Sequence, residues 1–247
     1  MWHKTPSKEE LNAQLIEAAK AGDIERIRRL LEQEEDVNAK DNDGWTVLIW
    51  AARYGHLDVA RLLVEHRAEV DARDKNGETA MMEAARDVYV DIVKFLVAHG
   101  AKVDTKNNDG MTAMMRAAFW GHLDVVKLLM DQDADVNTRD KDGCTAMMMA
   151  AWNGHLDVVK FLAEHGADLS IENNEGKTAA TIARENGHKD ITDYLDSYLD
   201  SLIRVKERID SVGKTNGGSL ELKPGIRSIL RTGQEYNIAK HGVSYVA

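Results

Sequence analysis

A glycine recurs every 33 residues through the middle of this 247-residue chain, and a threonine follows each of these glycines two positions later. The glycines are Gly44, Gly77, Gly110, Gly143 and Gly176, and the threonines are Thr46, Thr79, Thr112, Thr145 and Thr178. A fixed period of this length is typical of proteins built from stacked structural repeats. Because each repeat contacts only its neighbours, such a chain has no single buried centre where catalysis would be expected.

Each unit predicts the same order of elements: a turn, a short helix, a tight turn, a second helix and a loop. Residues 41–73 read DNDGWTVLIWAARYGHLDVARLLVEHRAEVDAR, and residues 107–139 read NNDGMTAMMRAAFWGHLDVVKLLMDQDADVNTR. Asp, Asn and Gly together favour a turn, and the threonine after the glycine is placed to cap the first helix. The alanine pair of the first helix is expected where neighbouring helices approach closely.

These units resemble the ankyrin repeat family, and the resemblance covers residues 8–205. It rests on the patterns DxxGxT, AAxxGHLDVVxxLL and GADVN at constant spacing. It implies an all-α solenoid of stacked helix-turn-helix units. The implied organisation is an N-terminal cap at 8–40, internal repeats at 41–73, 74–106, 107–139 and 140–172, a C-terminal cap at 173–205, and a helix extension with a tail at 206–247.

The charge balance argues against nucleic acid as a partner. There are 32 Lys and Arg residues against 42 Asp and Glu residues, a formal charge of −10, and an acidic surface repels phosphate backbones. The single cysteine, Cys144, excludes an internal disulfide framework and fits a reducing compartment. No apolar segment of a secretory signal or of a membrane span is present. We therefore expect a cytoplasmic protein that binds neither nucleic acid nor membrane.

The titratable residues predict no metal, cofactor or catalytic site. Seven histidines lie at equivalent repeat positions: His56, His122, His155 and His188 after the glycine between the helices, and His66, His99 and His165 near the end of the second helix. Equivalent positions in packed repeats are about 10 Å apart, whereas zinc ligands lie about 2 Å from one ion. We interpret these histidines as structural. Cys144 has no histidine partner that the sequence implies, so we expect no enzyme.

Four columns of the repeat differ most from one unit to the next, and we call them the variable columns. They are the residue after the glycine, the residue before the alanine pair, and the two residues before the glycine between the helices. In the resembled family they face the concave groove where partners usually bind, and Trp, Tyr and Arg are enriched at binding hot spots. The predicted protein-binding residues are Trp45, Trp50, Arg53, Tyr54, Glu83, Arg86, Arg116, Phe119, Trp120, Met149 and Trp152. The structural alternative, a tryptophan that only shields neighbouring repeats, explains one or two of these rings better than all of them.

The methionines of the first helices are expected to lie mostly in the core, as flexible replacements for the family's usual residues. The buried set is Met81, Met82, Met114, Met115, Met147 and Met148. Met111 and Met149 occupy variable columns, and for these two we expect exposure.

Three functions are compatible with these patterns. The first is a protein–protein interaction module, an adaptor or scaffold, whose partner offers an apolar anchor to the aromatic residues and acidic groups to the arginines. The second is a dedicated regulatory or inhibitory subunit of one enzyme, which predicts a single tight partner. The third is a ligand-binding or enzymatic role of the tail at 213–247, which is too short for a catalytic domain. The first is favoured, partly by analogy with the family.

Residues 86–90 depart from the repeat, since Val88 and Tyr89 stand where other units have Gly and His. The glycine normally ends the first helix with a positive φ, a conformation that a β-branched side chain resists. We therefore expect either a strained Val88 or a rearranged turn, and a locally weaker repeat.

The C-terminal region predicts one long helix. The chain runs without Gly or Pro for the 23 residues from Asp190 to Val212, which is about 35 Å of helix. Its apolar residues recur in steps of four and three, and beyond Leu202 they overhang the last repeat. We favour a tail that reverses at 213–218 and covers this stripe with residues 219–231, which makes the protein a monomer. A homodimer through this helix and a loose basic tail are the alternatives.

Overall fold

The computed structural model describes residues 7–33 and 36–216, with side chains as far as Val205. Twelve α-helices occupy these ranges, and the only strand-like pairing within them is an isolated bridge between Lys40 and Thr46. The helices are α1 Lys8–Ala21, α2 Ile24–Leu31, α3 Val47–Arg53, α4 Leu57–Glu65, α5 Ala80–Arg86, α6 Val90–Ala98, α7 Ala113–Trp120, α8 Leu123–Met130, α9 Ala146–Asn153, α10 Leu156–Glu164, α11 Ala179–Glu185 and α12 Lys189–Asn216. The predicted all-α solenoid of stacked helix-turn-helix units is confirmed.

Threonine begins the first helix of a repeat because its side chain satisfies a backbone N–H that the helix leaves unpaired. Thr46 is the N-cap of α3, and its Oγ1 accepts a hydrogen bond of 3.1 Å from the Ile49 amide. Thr79, Thr145 and Thr178 occupy the same position before α5, α9 and α11. The capping role predicted for these threonines is confirmed.

The core consists of alanine pairs in the first helices and branched apolar residues in the second helices. Ala51 and Ala52 have no exposed surface, and neither do Leu63 and Leu96. The methionines predicted to be buried are all in the core, where unbranched thioethers fill irregular space: Met81, Met82, Met114, Met115, Met147 and Met148. Met111 and Met149 are only partly exposed, as expected for the variable columns.

The chain divides into two compact units. The first unit comprises Met1–Ala117 and Asp124–Asp135, and the second comprises Ala118–Leu123 and Val136–Ala247. In the first unit α3 packs against α1, α4 and α5, and in the second unit α9 packs against α10 and α11. Each unit therefore stacks first helices on first helices, which brings equivalent columns of successive repeats side by side.

Backbone hydrogen bonds join the turns that precede the first helices. In the first unit the Lys75 amide donates to the Asp43 carbonyl at 3.1 Å. In the second unit the Asn174 amide donates to the Asp142 carbonyl at 2.8 Å. The same bond recurs at equivalent positions, so it sets the register of adjacent turns and hence of the variable columns that follow them.

The last helix, α12, extends over 28 residues from Lys189 to Asn216, about 42 Å. The long helix predicted over 190–212 is confirmed. The reversal predicted to begin at Gly213 is wrong for residues 213–216, because glycine inside a helix costs only about 1 kcal/mol relative to alanine and does not end it here. The covering segment proposed at 219–231 lies outside the described residues, so the monomeric state stays a prediction.

Burial along α12 falls away from the stack. Ile191, Leu195 and Leu199 are buried against the preceding helices. Leu202 is half-buried and Val205 is exposed. The apolar stripe therefore continues past the last repeat, as the sequence predicts.

Candidate protein-binding face

In the first unit, three aromatic residues of the variable columns contact one another. The ring centroids of Trp45 and Trp50 lie 4.4 Å apart, and those of Trp50 and Tyr54 lie 5.9 Å apart in a stacked arrangement. The indole N–H of Trp50 donates to Asp41 Oδ2 at 2.9 Å, and Lys20 Nζ lies 4.3 Å above the Trp50 ring. These contacts hold Trp45 and Trp50 half-buried, while Tyr54 remains 49% exposed.

In the second unit, the aromatic residues of the variable columns are more open to solvent. Trp120 is 51% exposed and Trp152 is 57% exposed. The rings of Phe119 and Trp120 meet edge to face with centroids 5.4 Å apart, and Met149 is half-buried. The uncharged character of these side chains makes this part of the columns an apolar surface.

Histidines of the following repeat fix the helix ends that carry these rings. His155 Nε2 donates to the Phe119 carbonyl at 3.0 Å, and His188 Nε2 donates to the Trp152 carbonyl at 3.0 Å. Each bond joins residues 36 positions apart, so it positions the end of one first helix from the next repeat. The rings of Phe119 and Trp152 therefore lie on helix ends that are hydrogen-bonded to the next repeat.

The partial exposure predicted for the aromatic residues is confirmed. Trp50 and Phe119 are half-buried, and Tyr54, Trp120 and Trp152 are exposed. The shielding alternative fits Trp45 and Trp50, which cover each other, better than it fits the three exposed rings. A single concave surface shared by all of them stays a prediction.

The first unit also contains an ion-pair cluster in the variable columns. The cluster consists of Arg53, Arg86, Arg116, Glu78, Glu83 and Asp87. Arg53 Nη1 donates to Glu83 Oε2 at 3.1 Å and to Asp87 Oδ2 at 2.9 Å. Arg86 Nη1 lies 3.6 Å from the same Glu83 oxygen. The Arg53 side chain thus bridges two carboxylates of the following repeat.

The other end of the ion-pair cluster is organised by Glu78. Its Oε1 accepts hydrogen bonds from Arg116 and from Asn107 Nδ2, the latter at 2.6 Å. Its Oε2 is buried and has no hydrogen-bond partner among the residues that the structure describes. A buried carboxylate with one satisfied oxygen and one unsatisfied oxygen pays a desolvation penalty that a further donor would relieve.

Glu83 is the most deeply buried carboxylate of the ion-pair cluster, with only 4% of its side chain exposed. Burial raises the pKa of Glu83 from 4.5 to about 7, because desolvation penalises the charged form. The positive charge of Arg53 opposes this rise, and the negative charge of Glu78 adds to it. Glu83 therefore changes its charge close to neutral pH.

The pairing of the arginines was not foreseen from the sequence. The sequence predicts that acidic groups of a partner pair with Arg53, Arg86 and Arg116. In the structure, each of these arginines already has a carboxylate of this chain beside it. A usable signal existed, because Glu78 and Asp87 stand in variable columns beside those of the arginines. This signal is not sufficient for a prediction, because the sequence columns do not tell which side chains of adjacent repeats contact one another.

Six of the seven repeat histidines have the structural role that the sequence predicts. His56 Nε2 donates to the Lys20 carbonyl at 3.0 Å, like His155 and His188 in their repeats. His66, His99 and His165 each donate through Nδ1 to a carbonyl four residues earlier in their own helix. Among the residues that the structure describes, no three His, Cys, Asp or Glu side chains are grouped so as to hold a metal ion.

Cys144 is half-buried in its variable column. Burial raises the pKa of its thiol, and Asn173 Nδ2 lies 3.8 Å from its Sγ as a donor. A raised thiol pKa lowers the fraction of nucleophilic thiolate. Across the described part of the chain, no helix combines the length and apolarity needed to cross a bilayer.

Comparison with known proteins agrees with the repeat pattern. The model of the family described as ankyrin repeats (3 copies) matches residues 15–107, 67–140, 91–173 and 133–206. These overlapping matches include every residue of the candidate face. No curated protein gives a significant match. Members of the matched family are generally protein–protein interaction modules, and this chain belongs to the ankyrin repeat family.

Proposed function

We propose that this protein is an adaptor or scaffold that binds a partner protein through the variable columns and performs no chemistry of its own. The observation that carries the proposal is the exposure of three large rings, Tyr54, Trp120 and Trp152, at or next to the C-terminal ends of first helices whose alanine pairs are buried. Exposed rings in these columns have no part in the repeat core. They are therefore available to a partner.

The energy available from these rings is sufficient to anchor a complex. A fully buried aromatic side chain covers about 150–250 Å², so covering the exposed half of one ring removes roughly 100 Å² from water. At about 25 cal/mol per Å² this contributes about 2–3 kcal/mol for each ring. Trp120 and Trp152 together can supply a large share of the free energy of a micromolar complex, about 8 kcal/mol.

The charges of the candidate face indicate which side chains a partner should present. Around Trp120 and Trp152 the neighbouring variable-column residues Phe119, Met149 and Asn153 carry no charge, so an apolar side chain of the partner fits there. The arginines of the first unit already have carboxylate counter-charges within the chain. We therefore expect an apolar side chain of the partner to make the main contact. An acidic group of the partner can bind an arginine only if it displaces the carboxylate that pairs with it in this chain.

Comparative affinity capture from a cell extract tests the proposal. The test variant carries Tyr54→Ala, Trp120→Ala and Trp152→Ala, which remove exposed rings. The matched control carries Lys94→Ala, Lys127→Ala and Lys160→Ala, three exposed residues at equivalent positions of second helices. We expect proteins that are captured by the wild type and by the control and are lost with the ring variant.

Two outcomes separate the remaining possibilities. Equal capture by all three proteins would show that the rings do not bind a partner. One stoichiometric, tightly held enzyme in the wild-type capture would favour a dedicated regulatory subunit over an adaptor. The cytoplasmic location expected from the sequence belongs to the same proposal, and fractionation of cells that express the tagged protein measures it.

A further inference from the structure

The ion-pair cluster holds equal numbers of opposite charges at fixed positions. Its three arginines balance its three carboxylates when all six are ionised, so its formal charge is zero. The arginine side chains are 27–29% exposed, whereas Glu78 and Glu83 are almost completely buried. The positive groups therefore border solvent and two of the negative groups lie beneath them.

Glu83 lies between several elements, and each of them contributes a charge. Helix α3 supplies Arg53, which contacts it at 3.1 Å, and helix α5 itself supplies Arg86 at 3.6 Å. Asp87 follows α5, Glu78 precedes it in the turn, and Arg116 comes from α7. Two carboxylates therefore compete with Glu83 for the same arginines: Glu78 accepts from Arg116, and Asp87 shares Arg53.

We propose that Glu83 is a proton-operated switch in the variable columns, because uptake of one proton changes the charge of the ion-pair cluster from zero to +1 and removes the negative charge that Glu83 presents to Arg53 and Arg86. The switch belongs to the free protein. Only its consequence for a partner rests on the function proposed above.

The geometry favours the protonated form in two ways. Burial penalises the ionised carboxylate, and the charges of Arg53 and Arg116 offset this only in part because Glu78 and Asp87 add to the penalty. A protonated Glu83 also gains an O–H donor, in a cluster where the buried Glu78 Oε2 has no donor from the described part of the chain. The raised pKa of Glu83, about 7, places the change within the range of cellular pH.

The Arg53 side chain defines the ligand that the protonated cluster fits. Arg53 Nη1 keeps its bond of 2.9 Å to Asp87, and on the side of Glu83 it faces a neutral carboxyl instead of a charged one, so a charged acceptor from outside can compete for it. A carboxylate side chain of an acidic partner segment takes that place, since guanidinium and carboxylate match in geometry. By linkage, an acidic segment binds more tightly at the pH at which Glu83 is protonated, and its binding raises proton affinity in return.

Side-chain NMR of the full-length protein without any partner tests the switch. The ¹³C carboxyl signal of Glu83 is assigned through bonds in the wild type, so the assignment does not depend on a variant that folds. We expect a midpoint of about pH 7, with about ten protonated carboxyls for each ionised one at about pH 6 and the inverse ratio at about pH 8. The Nε–H signals of Arg53 and Arg86 should shift with the same midpoint.

Two variants complete the experiment. In Glu83→Gln the arginine signals should lose that transition, and in Glu65→Gln, a control at an exposed glutamate, they should keep it. A Glu83 midpoint below about pH 5.5, the ordinary range of a glutamate, would overturn the proposal. So would arginine signals that do not follow Glu83. Neither result bears on whether the exposed rings bind a partner, because no partner is present.

Discussion

Val88 adopts a backbone conformation that most of the other repeats give to glycine. Its φ is 63°, in the left-handed region where the equivalent positions of other repeats have glycine, such as Gly55 with a φ of 76°. The turn is therefore not rearranged, and Val88 has the positive φ predicted for a strained residue, while the weaker repeat stays a prediction. The turn keeps the repeat geometry, and Tyr89 places its ring against Gly55, where other repeats place a histidine. The strain is tolerated because the surrounding helices determine the path of the backbone.

Val88→Gly should stabilise the protein by about 0.5–1 kcal/mol, because glycine adopts this φ without strain and the lost side chain is exposed. Asp133→Gly is the matched comparison, since Asp133 has a φ of 59° but aspartate tolerates this region. Urea denaturation of both variants measures the gains. A gain at Val88 no larger than that at Asp133 would show that β-branching adds no strain.

Glu83 gives the protein a pH-dependent stability. Its folded-state pKa of about 7 lies above its ordinary value of 4.5, so its contribution is fully present below 4.5 and is lost as the pH rises through 7. Relative to Glu83→Gln, the wild type should lose on the order of 3 kcal/mol of unfolding free energy between about pH 4.5 and about pH 8. Urea titrations of the wild type and of Glu83→Gln at each pH give the difference in unfolding free energy that is due to Glu83. A difference that does not vary with pH would refute the shift.

The contact between successive repeats depends on a glycine at the end of one first helix and a histidine of the next repeat. A methyl group on Gly154 would lie 2.6 Å from His188 Cε1, well inside van der Waals contact. The same histidine bonds the Trp152 carbonyl. Glycine is therefore favoured at position 154 for two reasons. It adopts the φ of 79° without strain, and it has no side chain that would clash with the His188 ring.

Gly187 separates these two requirements. It has nearly the same φ, 80°, but a methyl group there would meet no described atom within 4 Å. Gly187→Ala should cost about 1 kcal/mol from the backbone alone. Gly154→Ala should cost about 1–2 kcal/mol more, because the histidine must move and its hydrogen bond is lost. Thermal or urea denaturation measures both, and equal losses would exclude the histidine contact as a source of stability.

Across the whole molecule, the residues that bind and the residues that stabilise are predicted to be different sets. Trp152→Ala should leave the free energy of unfolding within about 0.5 kcal/mol of the wild type, as for other surface substitutions, and weaken partner binding by about 2 kcal/mol. Leu162→Ala, in the adjacent second helix and fully buried, should cost about 3 kcal/mol of stability. Urea denaturation measures the free energy of unfolding, and titration with the captured partner measures the affinity. A large loss of stability in Trp152→Ala would place its ring in the core instead.

The oligomeric state expected from the sequence is a monomer. Light scattering after size-exclusion chromatography should give a mass near 27.5 kDa. A mass twice as large would instead support a dimer through the exposed stripe of α12, which includes Val205.

Much of the fold could be predicted from the sequence because a repeat protein is assembled from local contacts. The capping threonines, the buried methionines and the long α12 each depend on a short segment and on its register in the repeat. The positive φ of Val88 could be predicted for the same reason. The error at Gly213 shows the limit, since glycine weakens a helix but whether the helix ends there depends on the rest of the chain.

The candidate face was only partly predictable, and the missing part is the pairing of its charges. The sequence alone placed the aromatic residues, arginines and Glu83 in variable columns, because columns follow from the period. Only the tertiary structure decided that Arg53 bridges Glu83 and Asp87, that Arg116 bonds Glu78, and that Glu83 is buried beneath them. These contacts join residues 30 to 38 positions apart, and they depend on side-chain reach across packed helices, which no local pattern of the chain specifies.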